Sequence, residues 1–404
     1  MLSRTADHLF WMSRYTERAE NTARMLNVSY ETSLLPQSSA TVQAGWEGLL
    51  SISELLPAYT QLHGQVTPQH VMHFMVMEPN NPSSIISCLR AARENARAVR
   101  GALTTEVWET QNQTWLEVNR MIRSGEFDAD PGQFFEWVKF RSHLSRGVTV
   151  GTMLMDESLH FMRLGTFLER ADNTARLVDV KFHAGPNDRF GALPLLPTFV
   201  PTAALAGASS MQAQTASEEV SVDGSQEFDF YHWSAILRSV SGFEIYRKVY
   251  RDVIRPDRVA ELLILRPDMP RSLHASLNEV VNNLEAVTDN MQSETLRHAG
   301  KLRADLAYGR IDEILATGLH AYLTQFLERV NVLGGRISRI SDAASNMISV
   351  MQALQMEPTL TMHGEASSCW TLCHFPCSHC SGERPQLALT RSPPSRSSCS
   401  SCNA

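Results

Sequence analysis

Cysteine is nearly missing from the body of this 404-residue chain: Cys88 stands alone before residue 369. A disulfide framework is thereby excluded there, and a reducing, cytoplasmic setting is expected. Lysine is scarce as well, 4 against 32 arginines, and acids outnumber bases to leave a net charge of −7. Nucleic-acid binding, which rests on neutralising phosphates, is not expected. Long apolar runs are lacking too. The stretch Ala192 to Ala208 is cut by Pro194, Pro197 and Pro201 and is too short for a bilayer, so no membrane span is expected. Met1-Leu2-Ser3-Arg4 has none of the order of a secretory signal. No Gly-x-Ser-x-Gly and no Gly-rich phosphate loop occurs, and no cofactor is implied.

What is present is repetition. His8 to Tyr30 and His160 to Phe182 are near copies 152 residues apart. Within them Glu17-Arg18-Ala19-Glu20-Asn21-Thr22-Ala23-Arg24 meets Glu169-Arg170-Ala171-Asp172-Asn173-Thr174-Ala175-Arg176. At an offset of 187 to 188, Trp46 matches Trp233, Tyr59 matches Tyr246, Pro68 matches Pro256, and Pro82-Ser83-Ser84 matches Pro270-Arg271-Ser272. The pattern reads as a tandem duplication whose second copy carries an insertion. The expected divisions are 1–150 as a first unit, 151–183 as the helix opening the second, 184–227 as an Ala/Pro/Ser-rich linker, 228–340 as the rest of the second unit, and 341–404 as a divergent, disordered tail.

Apolar spacing is helical almost throughout, as in Trp233, Ile236, Leu237 and Val240. Pro68, Pro82, Pro256 and Pro270 stand where loops feed helix starts. The fold class expected is all-α, an extended helical bundle of two duplicated multi-helix units related by a pseudo-twofold.

On a helix, Glu17, Asn21 and Arg24 form one stripe, with Met12, Ala19, Ala23 and Leu26 opposite; Glu169, Asn173 and Arg176 repeat it. Three readings compete for these residues and for Arg18 and Arg170. Glu20 to Arg24 and Asp172 to Arg176 are i, i+4 pairs that a solvated face would also carry, at about 0.2–0.5 kcal/mol each. A buried structural network would use the arginine forks to fix helix register. A cleft between the copies would use the arginines to hold an anionic ligand, with the glutamates as base or orienter. Asn-Thr in mid-helix is locally unfavourable, which favours a buried or half-buried network.

At these residues the chain resembles the bacterial alpha-E family. Glu106-Val107-Trp108-Glu109 with Asn112, Tyr246 to Tyr250, Leu263 to Ser272 and Tyr308 to Asp312 carry the resemblance further, over roughly 1–338. It implies an all-helical protein with no established activity, found beside or fused to circularly permuted ATP-grasp and transglutaminase-like proteins. An accessory or scaffold role in a peptide-ligating or peptide-modifying system, with those proteins as partners, is the expectation it brings; an enzyme or small-molecule binder is the alternative. A third block, Phe326-Leu327-Glu328-Arg329, lacks the Asn-Thr-Ala-Arg ending and reads as a final helix only.

Metal sites are not expected. Glu157 and His160 have a di-iron spacing, but the first copy offers Thr5 in place of the acid, and His70 and His73 lack carboxylates nearby in sequence. In the tail, Cys369, Cys373, Cys377 and Cys380 with His374 and His379, then Cys399 and Cys402, do not follow a paired zinc-knuckle spacing.

Overall fold

Helix starts are set by side chains that cap the first free amides. Ser38, Thr67, Ser84, Thr104, Asp130 and Ser272 each accept a hydrogen bond from the backbone N–H three residues on. Pro68, Pro131 and Pro256 occupy first-turn positions, where a missing N–H costs nothing. The structure is a computed structural model that describes residues 3–36, 38–183, 224–288 and 293–355.

In chain order the α-helices are α1 (Ser3–Ser33), α2 (Ser39–Ile52), α3 (Leu56–His63), α4 (Pro68–Val76), α5 (Ile85–Ala98), α6 (Thr105–Arg123), α7 (Glu126–Ala129) and α8 (Pro131–Thr152). After them come α9 (Glu157–His183), α10 (Gly224–Ser239), α11 (Phe243–Tyr250), α12 (Pro256–Ile264), α13 (Leu273–Val287), α14 (Glu294–Tyr308), α15 (Ile311–Thr317) and α16 (Leu319–Gln355). The protein is all-helical, with no strand among the described residues.

The described residues up to 354 form one compact unit with α1 and α9 side by side at its centre. α5 and α8 flank α1, and α13 flanks α9. The alanines decide how close the central pair comes. Ala19 and Ala23 on α1 and Ala171 and Ala175 on α9 are all buried, and a Cβ added to Gly165 would stand 2.2 Å from the Phe10 carbonyl oxygen. Only glycine fits at that crossing. Leu9, Phe10 and Leu26 from α1 and Leu164, Leu168 and Val178 from α9 supply the apolar contacts, each worth about 1.5–3 kcal/mol on full burial.

Several local arrangements occur twice. His8 Nδ1 meets Asn95 Oδ1 at 2.7 Å, and His160 Nδ1 meets Asn283 Oδ1 at 2.8 Å. Tyr59 donates its hydroxyl to the Gln65 carbonyl at 3.1 Å, and Tyr246 to that of Val253 at 2.9 Å. Trp46 and Trp233 are both buried.

Two expected boundaries shift. α10 begins at Gly224, inside the segment read as linker, and α16 continues past 340 to Gln355. Residues 341 to 355 contain neither proline nor glycine and include Ala, Met, Leu and Gln, so the helix meets no strong breaker there. The rest of the linker, 184–223, and the cysteine-rich tail, 356–404, lie outside the described residues.

Candidate functional site

The two Glu-Arg motifs pair with each other across the α1–α9 contact. Arg18 Nε and Nη2 donate to Glu169 at 2.5 and 3.0 Å, while Arg170 Nε and Nη2 donate to Glu17 at 2.9 and 3.1 Å. Each is a two-point fork, the strongest geometry a guanidinium offers a carboxylate. Each arginine also lies against an aromatic ring three positions earlier, Arg18 on Tyr15 and Arg170 on Phe167.

Further arginines complete the shell. Arg271, in the loop before α13, reaches α1 and donates to Glu17 at 3.0 Å, Asn21 at 2.8 Å and Glu20 at 2.5 Å. Arg146 on α8 donates to Glu17 at 2.9 Å and also to Glu20. Arg14 donates to Glu169 at 2.8 Å. Glu20 also accepts from Arg24 at 2.9 Å and from the Ser142 hydroxyl at 2.7 Å. Glu17, Glu20 and Glu169 are all buried, and the Glu20–Arg24 pair is not a solvated face: it is sealed among α1, α8 and Arg271.

Burial alone would raise all three carboxyls. For Glu17, Arg170, Arg271 and Arg146 outweigh it; for Glu20, Arg271 and Arg146; for Glu169, Arg14 and Arg18. All three are held below the usual carboxylate range and stay ionised. Both oxygens of each are occupied by donors, which leaves none free to serve as a general base. Arg271 pays for its position: burial, joined by Arg170 and Arg24, pushes it down to about 10, and it remains protonated at neutral pH.

Of the residues singled out in the sequence, the structure gathers Glu17, Arg18, Asn21, Arg24, Glu169 and Arg170. Asn173 and Arg176 stand apart. Asn173 is half-buried, and Arg176 pairs with Asp172 on its own helix at 2.9 Å and with Glu54 at 2.5 Å. Sequence reasoning placed Glu20 only in an i, i+4 pair with Arg24, and it missed Arg14, Arg146, Arg271, Ser142 and His143, whose ring nitrogens lie 2.7 Å from Arg146 Nη2 and 3.2 Å from Arg24 Nη2. Arg271 carried one signal, its place in the Pro-Arg-Ser block that matches Pro82-Ser83-Ser84; Arg146 carried none.

A cavity of about 110 Å³ opens beside the network, between α1, α6, α8 and α9, with Glu17 and Arg146 in its wall. A wider groove of about 780 Å³ runs along α4 and α7. There His63 stacks on His70, and His73 meets Asp128 at 2.9 Å, a carboxylate that the sequence spacing had not placed beside it. No cluster of three or more potential metal ligands exists among the described residues. Nor is any described helix long and apolar enough to cross a membrane.

Residues 1–340 match the model of a family described as a predicted alpha-helical domain with a conserved ER motif. The chain is also similar to uncharacterised proteins of Mycobacterium bovis and of two strains of Mycobacterium tuberculosis. These are 26–27% identical over 145 residues, covering 32% of this chain and 15% of each relative. The chain thus spans well under a fifth of the length of the relatives it matches. No solved structure matches.

Proposed function

The chain belongs to the Alpha-E family, and from that premise we propose that it acts as a helical accessory or scaffold protein that binds protein partners. The observation that carries this reading is the saturation of Glu17, Glu20 and Glu169 by arginines, which makes the Glu-Arg motif a lock on helix register rather than a set of acids and bases awaiting substrate. The partners proposed are the ATP-grasp or transglutaminase-like proteins that the resemblance implies, within a peptide-ligating or peptide-modifying system in the cytoplasm.

A surface suited to such a partner lies on α8. Phe140, Leu144, Gly147 and Gly151 share one face, Phe140 and Leu144 are exposed, and a Cβ added to either glycine would meet nothing within 4 Å. Exposed Leu154 and Met155 continue it beyond the helix end. We also propose that the paired motifs descend from a tandem duplication, supported by the recurring His–Asn and Tyr–carbonyl bonds.

The test is size-exclusion chromatography of the full chain mixed with an ATP-grasp and a transglutaminase-like protein encoded beside it. A stable complex, weakened at least tenfold by Phe140→Ser with Leu154→Ser, is expected. Failure of both proteins to co-elute overturns the reading.

A further inference from the structure

We propose that the cavity between α1, α6, α8 and α9 is a binding site for a small organic carboxylate, gripped by Arg163 and Arg146. The first support is an imbalance of charge. Glu17, Glu20 and Glu169 are met by six guanidiniums, those of Arg14, Arg18, Arg24, Arg146, Arg170 and Arg271. Arg163, close by on α9, is balanced by Glu279 at 2.5 Å. Positive charge therefore exceeds negative in the network beside the cavity, and Arg146 carries that surplus into the cavity wall.

Unused donors point the same way. Arg163 lines the cavity, and its Nε is buried with no hydrogen-bond partner, although Nη2 is committed to Glu279. A buried guanidinium N–H without an acceptor carries a desolvation cost, and because that Nε is sealed from solvent a ligand oxygen relieves it only when the Arg163 side chain turns toward the cavity. The hydrogen bonds of Arg146 leave from Nη1 and Nη2. Ser13 and Thr149 add hydroxyls to the wall, and Gln111 adds an amide already tied to Ser145 at 2.9 Å.

Shape and polarity narrow the ligand. At about 110 Å³ the cavity is smaller than the roughly 150 Å³ hole that benzene fills, which suits about four to six heavy atoms. Met12, Leu159, Met162 and Phe167 form the other wall, so a short alkyl tail is accommodated where a fully hydrated phosphate is not. Both oxygens of Glu17 already accept two arginine N–H groups each, which leaves no acceptor there for an ammonium group. A simple carboxylate is thus preferred over a zwitterionic amino acid. Val150, largely exposed, stands at the mouth.

The experiment is isothermal titration of the full chain with sodium propionate, set against sodium chloride, sodium phosphate and alanine at equal ionic strength. Saturable binding of propionate alone is expected. Arg163→Gln, outside the buried Glu-Arg lock, should weaken it at least tenfold, and Val150→Trp should block entry, with melting curves confirming that both variants fold. The proposal is overturned if propionate gives no saturable heat, if chloride, phosphate or alanine binds as well, or if both folded variants bind propionate unchanged. Complex formation with a protein partner is not part of this readout, so the two proposals fail separately.

Discussion

Arg18 reaches from α1 to hold Glu169 of α9 at 2.5 and 3.0 Å, while Arg170, one residue after that glutamate, returns the grip to Glu17, one residue before Arg18. Adjacent acid and base on each of these two helices therefore do not pair with one another. Consecutive residues point about 100° apart on a helix, and each finds its partner on the neighbour instead.

Removing Glu17 leaves Arg170, Arg271 and Arg146 crowded without their shared counter-charge. Glu17→Gln is expected to cost about 3–5 kcal/mol, read as a shift of the urea midpoint, whereas Glu117→Gln, in an exposed pair with Arg120, should change stability by less than about 1 kcal/mol. Equal effects would contradict a buried lock.

Two glycines make a paired test of packing. Gly165→Ala drives a methyl into the Phe10 carbonyl and should destabilise by about 1–3 kcal/mol. Gly147→Ala, in the interior of α8 with open space around it, should raise the melting temperature through a helix-propensity gain of about 0.5–1 kcal/mol.

Acid should weaken the fold in two stages. Burial, then Arg146, Arg24 and Arg271 against Glu20, hold His143 below its ordinary 6.5. The unfolded chain accepts a proton that the folded one refuses, so this contribution is whole above about pH 6.5 and declines as pH falls below it. Glu17, Glu20 and Glu169 lie below their ordinary 4.5, and their contribution is lost as pH drops through the folded values. Urea midpoints at descending pH should show both stages, and His143→Gln should erase only the upper one.

Cys88 is fully buried, and burial pushes its thiol up to about 12 despite the nearby Arg18. Peptide-level mass spectrometry after brief treatment with a thiol reagent at pH 7.5 should find Cys88 unlabelled in the native protein and labelled in urea. Native labelling of Cys88 would show that the packing around α5 opens locally.

Helical class and the helix starts marked by Pro68, Pro82, Pro256 and Pro270 were legible in the sequence because each is set by residues a few positions apart. The centre was legible only in part. Asn-Thr in mid-helix signalled a buried environment, yet an i, i+4 pair such as Glu20 and Arg24 has the same spacing in solvent or in a core. Asn173 and Arg176 repeat Asn21 and Arg24 letter for letter but meet different surroundings. Arg271 reaches Asn21 from a loop where the matching position in the first half is Ser83, too short to reach α9 in the same way. Identical local sequence does not carry identical neighbours.

Arg271 joins Glu17 across 254 positions of chain. On the ribosome, α1 emerges long before the loop that carries this guanidinium, and Arg170 also follows it by 153 residues. Until both arrive, two carboxylates destined for the interior have only Arg24 and Arg146 to balance them. The full set of counter-charges for these carboxylates is therefore complete only once the back half has been made, and the contacts that complete it join points far apart in the chain.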